Sequence, residues 1–82
     1  MNARDDALES QAGHDGRLIR VSRYRGDPQM VAYIVAVANP AEAIDLIRSK
    51  VATLEDEVED LGRVSNALLN ALNLRSGDFI RA

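Results

Sequence analysis

Two segments rich in apolar side chains predict a β-hairpin. Residues Met30–Ala38 are all apolar and rich in β-branched side chains, and the run is too short for a buried helix, so it predicts a strand covered on both faces. Residues Arg17–Arg25 mix large apolar side chains with four arginines and no acidic residue, a composition typical of an edge strand. Between them, Gly26-Asp27-Pro28 favours a turn. We therefore expect the two strands to pair.

The residues after the second strand carry the signals of a helix start. Asn39 is a favourable N-cap, Pro40 suits the first helical position, and Glu42 is placed to close a capping box. The apolar side chains that follow recur at spacings of three and four, which puts them on one face of a helix. The sequence therefore predicts an amphipathic helix over Pro40–Ala52, packed on the preceding strand.

The stretch Ala52–Ser65 supports more than one interpretation. Apolar side chains continue the spacing of three and four through it, which by itself predicts one long helix with a coiled-coil stripe. Gly62 in the interior and the potential N-cap Thr53 favour a break between separate helical pieces. A third interpretation makes Glu57–Val64 a strand that returns beside Met30–Ala38 through a βαβ crossover, although its acidic residues are poor strand formers.

The end of the chain predicts a further helix and a docked terminus. Residues Ser65–Leu74 combine an N-cap serine with a leucine-rich side, and Gly77 favours an end to this helix. Phe79 and Ile80 are large and apolar, so we expect them to dock on the core or on a neighbour. The fold class that we expect is α+β, with a small two-stranded β-hairpin packed against two or three helices; the alternative is ββαβα with a βαβ crossover.

Composition limits the size and the class of the protein. With 82 residues, 46% of them hydrophobic, the chain suffices for one compact domain and not for two. We expect residues 1–16 to form a flexible tail, because they are poor in large apolar side chains, and residues 17–82 to form the domain. No apolar run approaches the ~20 residues that span a bilayer, and no signal sequence is visible, so we expect no membrane insertion and a cytoplasmic location. Because Met30 precedes the best-patterned segment, translation starting there rather than at Met1 is an alternative.

Candidate catalytic and metal-binding residues are few. The absence of cysteine excludes thiolate ligands and disulfides. The single histidine, His14, lies near Asp5, Asp6 and Glu9 without a ligand spacing, so we interpret it as a solvated side chain. The acidic residues 55–60 do not match an EF-hand, which favours a solvated face or a surface for a basic partner. No serine has a nucleophile motif around it. We therefore expect no cofactor, no metal ion and no catalytic residue within the single chain.

The arginines of Arg17–Arg25 raise the possibility of nucleic-acid binding. They could neutralise phosphates, and Tyr24 among them offers a ring for stacking. Nucleic-acid-binding domains are usually basic overall, whereas this chain has a formal net charge of −3. We therefore keep weak nucleic-acid binding as an alternative. An arginine-protected edge strand, or a fit of these arginines to the acidic residues 55–60 of a second copy, explains them more simply.

The function that we expect is that of a small non-catalytic interaction or regulatory module. A two-stranded sheet is only marginally stable alone, so we expect a homodimer or a subunit of a larger complex. A small enzyme or ligand binder whose site forms between subunits is the alternative from another class. The residues expected in the interaction surface are Leu54, Val58, Leu61, Leu68, Leu72, Arg20, Arg23 and Tyr24.

Overall fold

Four strands and two helices form the part of the chain that the structure describes. This computed structural model describes residues 13–23, 29–53 and 55–82. The strands form one antiparallel sheet in the order β3-β1-β2-β4, so the hairpin of β1 and β2 lies at its centre. The elements in chain order are β1 (Gly16–Arg23), β2 (Gln29–Val35), α1 (Pro40–Lys50), β3 (Glu57–Val64), α2 (Asn66–Ala71) and β4 (Phe79–Arg81).

The expected fold, a two-stranded hairpin on two or three helices, is wrong. The hairpin is present, with Arg20 opposite Ala32, but β3 and β4 pair with its two outer edges. These added strands satisfy backbone N–H and C=O groups that a lone hairpin would leave unpaired. The helices are also shorter than predicted, since α1 ends at Lys50 and α2 contains only six residues.

The segment 57–64 is a strand, and its interpretation as helix is wrong. The alternative ββαβα arrangement fits in part, because it assigns Glu57–Val64 to a strand that follows a crossover helix. It places that strand beside β2, however, whereas β3 pairs with β1. Since β2 and β3 both run antiparallel to β1, they are parallel to each other, and the connection through α1 passes across β1.

Charge pairing explains how so acidic a segment forms a strand. Glu59 and Asp60 lie opposite Arg20 and Ile19 of β1, and both carboxylates bind arginines of that strand. Opposite charges on neighbouring strands stabilise a sheet, which offsets the low strand propensity of acidic residues. The pairing partner is distant in sequence, so the local pattern of apolar residues does not indicate it.

The two helices lie on opposite faces of the sheet. Helix α1 buries Ala43 and Ile47 against Ile19, Val21 and Val35, all fully buried. On the other face, Leu69 of α2 packs with the buried side chains of Ala36, Val64 and Leu74, together with the partly buried Leu18 and Ile34. We call these the α1 face and the α2 face of the sheet.

The predicted helix starts and the docking of the terminal apolar residues are confirmed in part. The Asn39 side chain accepts a hydrogen bond from the Glu42 N–H at 3.1 Å, and helix α1 begins at Pro40 as predicted. Phe79 packs edge-on against the ring of Tyr33, with 5.9 Å between the ring centroids.

Within the described ranges, neither helix has the length and apolar character needed to cross a membrane.

Candidate functional site

Part of the α2 face is left uncovered by the described helices. Side chains alternate between the two faces along each strand, so Arg20 of β1 shares the α2 face with the residues opposite it. Helix α2 packs only over the end of this face that carries Leu18 and Ile34. We call the exposed or partly exposed remainder the open face; its side chains are Arg20, Met30, Ala32, Glu57 and Glu59, with Ile80 at its outer edge opposite Ile34. Ser22 lies on the same side of the sheet but is buried.

Large apolar side chains are exposed on the open face and beside it. Met30 is 69% exposed and Ile80 is 41% exposed. Leu68 and Leu72 are also exposed; Leu68 lies in α2, which covers the adjoining end of the same face, and Leu72 is the C-cap of that helix. Exposed apolar area of this kind marks a surface whose burial against a partner is energetically favourable.

An ion pair occupies the middle of the open face. Arg20 Nη2 donates to Glu59 Oε2 at 2.6 Å, and Arg20 lies on the central strand β1 opposite Ala32. Its Nε is buried and has no acceptor among the described residues. The arginine side chain is 35% exposed.

The structure separates the residues that the sequence analysis groups into one interaction surface. Val58 packs in the core under α1, and Leu61 lies on β3 where the register with β1 shifts. Arg23 points to the α1 face, where its Nη2 donates to the Val51 carbonyl oxygen at 2.9 Å. Leu54 and Tyr24 lie outside the described residues. Arg20 lies on the open face, Leu68 lies on the helix beside it, and Leu72 caps the C-terminus of that helix.

The described arginines of β1 are paired with acidic residues of their own chain. Arg17 binds Asp60 and Arg20 binds Glu59, each at 2.6 Å, while Arg23 Nε lies 3.7 Å from Asp56 Oδ2. The fit between basic and acidic segments that the sequence suggests across two copies thus forms within one chain. Phosphate groups would have to compete with these carboxylates for the same arginines.

Asp60 is the most strongly held of these carboxylates. It accepts two hydrogen bonds from the Arg17 guanidinium, at 3.0 and 2.6 Å, and a third from the Gly62 N–H at 3.2 Å. The bond from Arg17, opposed by partial burial, lowers the pKa of Asp60 below its usual value. The same pairing raises the pKa of Arg17.

A serine and a histidine meet at a second place on the surface. Ser76 Oγ lies 3.0 Å from His14 Nε2, and His14 Nδ1 lies 2.7 Å from the Asp15 carbonyl oxygen. From the sequence, His14 is interpreted as a solvated side chain; in the structure it is partly exposed and its ring makes these two contacts. Sixty-two positions separate the two residues, so no local motif could indicate the pair. The acidic residues 5, 6 and 9, which lie near His14 in the sequence, are outside the described residues.

Metal ligands do not converge among the described residues. No group of three or more histidine or acidic side chains in the described ranges could hold a metal ion. In β3, the alternation of a strand sends Glu59 and Asp60 to opposite faces, where each binds a different arginine.

Comparison of the chain with protein-family models, with curated proteins and with solved structures found no match. The function of the chain must therefore be inferred from its own residues.

Proposed function

We propose that the protein is a small interaction module that pairs with a second copy of itself through the open face. The observation that carries the proposal is the composition of that face, where the exposed Met30 and Ile80 lie on the same side of the sheet as the Arg20–Glu59 ion pair. The interaction surface would therefore be a sheet face, flanked by the leucines of α2, rather than a helical stripe.

Covering the apolar side chains favours association. Removal of apolar surface from water contributes about 25 cal/mol per Å². Met30 is the most exposed large hydrophobic side chain in the described ranges, so its burial against a partner would remove the largest share of a side chain from water. Leu68 and Leu72 are further exposed apolar side chains, and they lie at the end of the sheet that α2 covers.

The charges of the open face are suited to a second copy. In a two-fold symmetric dimer, both copies contribute the same surface patch to the interface, so this patch must be complementary to itself. Arg20 and Glu59 lie side by side with opposite signs, and a two-fold axis between them places each arginine against the other copy's glutamate. The Arg20 contact with Glu59 uses only Nη2, which leaves further N–H donors of the guanidinium for a second carboxylate.

Light scattering behind a sizing column tests the proposal, with the wild-type chain and two charge reversals. Wild type should be dimeric at high micromolar concentration. Arg20→Glu and Glu59→Arg should each be monomeric, because like charges then face each other within and between copies. An equimolar mixture of the two variants should recover a dimer, because opposite charges meet across the interface only in the mixed pair. Arg48→Glu, on the exposed side of α1, is the matched control and should stay dimeric.

The mixing experiment separates a contact between copies from a contact within one chain. If Arg20 and Glu59 mattered only within the chain, the mixture would behave as the average of its two components. That result, or a wild-type monomer at every concentration, would contradict the proposal. Met30→Ser provides a second readout, because loss of this exposed side chain should weaken the dimer with little effect on monomer stability.

The cytoplasmic location expected from the sequence stays a prediction.

A further inference from the structure

We propose that Ser76 is a nucleophile activated by His14 and that it accepts acyl groups from small carboxylic esters with good leaving groups. The proposal concerns a different surface from the open face and does not depend on dimer formation. It rests on the two contacts of the His14 ring, on the backbone that holds both residues, and on the Ser76 N–H, which donates to no backbone carbonyl in the described ranges.

The contact at Nδ1 determines which nitrogen of His14 carries the proton. Nδ1 lies 2.7 Å from the Asp15 carbonyl oxygen, which can only accept a hydrogen bond. In the neutral ring Nδ1 therefore holds the proton, and Nε2 presents a lone pair. Since Nε2 lies 3.0 Å from Ser76 Oγ, the serine hydroxyl donates to it. A hydroxyl that donates to an oriented imidazole is the arrangement that activates a serine nucleophile, here with a carbonyl orienting the ring.

Hydrogen bonds hold the segment that carries the histidine. The Asn66 side chain donates to the His14 carbonyl oxygen at 3.0 Å, and the Asn66 N–H donates to Asp15 Oδ1 at 2.9 Å. The other carboxylate oxygen of Asp15 pairs with Arg63 at 3.0 Å. The segment before β1 is thereby fixed to the start of α2, which positions the imidazole without a buried acid.

The turn that carries the serine is held in the same way. The Arg75 N–H donates to Asp78 Oδ2 at 3.0 Å, and the Asp78 N–H donates to the Arg75 carbonyl oxygen at 2.9 Å. The Gly77 N–H donates to the Ala36 carbonyl oxygen at 2.9 Å, which ties the turn to the end of β2. Ser76 is exposed, so an ester can reach its hydroxyl.

The backbone N–H of Ser76 is available to the substrate. The next two residues, Gly77 and Asp78, donate their N–H groups to the Ala36 and Arg75 carbonyl oxygens, whereas the Ser76 N–H donates to no backbone carbonyl among the described residues. The N–H of a nucleophilic serine lies close to the carbonyl oxygen that it attacks, where negative charge develops. This donor can therefore stabilise the tetrahedral intermediate.

The reaction follows from these positions. Ser76 Oγ forms a bond to the ester carbonyl carbon while its proton passes to His14 Nε2. The intermediate then expels the alcohol, which takes the proton from Nε2 as the ester C–O bond breaks, and the acyl group remains on Ser76. Water, deprotonated by Nε2, hydrolyses this ester in the reverse sequence, and it releases the carboxylic acid and restores the serine.

Reaction of the full chain with p-nitrophenyl acetate tests the proposal. We expect a burst of p-nitrophenol followed by slower turnover, and mass spectrometry of proteolytic peptides should place the acetyl group on Ser76. Ser76→Ala should abolish the burst, and His14→Gln should slow it by about 10²-fold, the usual lower contribution of a general base. The control is Ser49→Ala, since the Ser49 hydroxyl donates to the Leu46 carbonyl oxygen and has no imidazole contact. This variant should react like wild type.

Two results would overturn the proposal. One is the absence of acetylation on Ser76, or acetylation of Ser76 at the same rate in His14→Gln. The other comes from the unmodified wild-type protein, in which ¹⁵N NMR of the imidazole reports the tautomer directly. We expect the proton of the neutral ring on Nδ1. A neutral ring protonated on Nε2 could not accept from Ser76 and would refute the mechanism whether or not the variants fold.

Discussion

Arg17 and Asp60 form a two-pronged ion pair across strands β1 and β3. Arg17 Nε binds Oδ1 of Asp60 at 3.0 Å, and Nη2 binds Oδ2 at 2.6 Å. The pair lies beside the point where the register between the strands shifts, and the Gly62 N–H donates to the same carboxylate. Because both oxygens of Asp60 are bound in a fixed geometry, the pair sets the register of β3 at its bulge.

The Arg17–Asp60 pair predicts that the stability of the fold decreases at acidic pH. The folded pKa of Asp60 lies below the ordinary value of 3.8, so the ionised carboxylate stabilises the fold at pH values above 3.8. This contribution is lost as the pH falls through the lower folded value, because Asp60 is then protonated. We expect Asp60→Asn to destabilise the protein at pH 7 and to remove part of the fall in stability towards pH 2. Urea unfolding across this range measures both effects.

A double-mutant cycle provides the control for this experiment. Arg17→Met should also destabilise the protein at neutral pH, and the double variant should be more stable than the sum of the single losses predicts. The coupling between Arg17 and Asp60 should decrease as the pH falls and Asp60 is protonated. An Asp60→Asn variant with the acid dependence of wild type would contradict the lowered pKa.

Glycines at two positions in the sheet should resist substitution for different reasons. Gly62 has φ +139°, and a Cβ added there would meet no atom within 4 Å, so Gly62→Ala should cost about 1–3 kcal/mol through backbone strain alone. At Gly16, a Cβ would lie 2.2 Å from the Val35 carbonyl oxygen, so Gly16→Ala must push the backbone of β1 away from that of β2. This substitution should therefore destabilise the protein more than Gly62→Ala. Gly13→Ala meets no atom within 4 Å and is the control. Thermal unfolding ranks the three variants; equal stability of Gly16→Ala and Gly13→Ala would contradict the close approach.

Two adjacent leucines of α2 should differ in their contribution to stability. Leu69 is fully buried against the sheet, whereas Leu68 is 42% exposed. Leu69→Ala should therefore cost about 2–5 kcal/mol by removing buried methyl groups and leaving a cavity. Leu68→Ala should lower the free energy of unfolding of the monomer much less. Urea unfolding at a concentration where the protein is monomeric makes the comparison, and similar losses for both variants would show that α2 packs in a different orientation.

The cap of α1 gives a prediction that depends on local structure only. The Asn39 side chain accepts from the Glu42 N–H at 3.1 Å, which satisfies a donor that the first turn leaves free. Asn39→Ala should cost about 1 kcal/mol, whereas Asn39→Ser should cost less because serine can make the same bond. Thermal unfolding of both variants tests the cap, and equal losses would show that its side-chain acceptor contributes nothing.

Local signals in the sequence determined the central hairpin and the start of α1. The unbroken apolar run that includes most of β2 needs no distant partner to be recognised, and Asn39 and Pro40 mark the helix start by backbone chemistry alone. The N-cap serine of α2 is evident in the same way, and its Oγ accepts from the Leu68 N–H at 3.2 Å. These features depend on residues that are close together in the chain.

Only the tertiary structure decided the size of the sheet and the position of both candidate sites. Segment 57–64 has the apolar spacing of a helix, and it becomes a strand because its carboxylates meet the arginines of β1, about forty positions away. The pairing of His14 with Ser76 has the same origin, because the fold brings the segment before β1 beside the turn before β4. Charge pairs and hydrogen bonds act between neighbours in space, so a pattern read along the chain cannot reveal partners that the fold itself brings together.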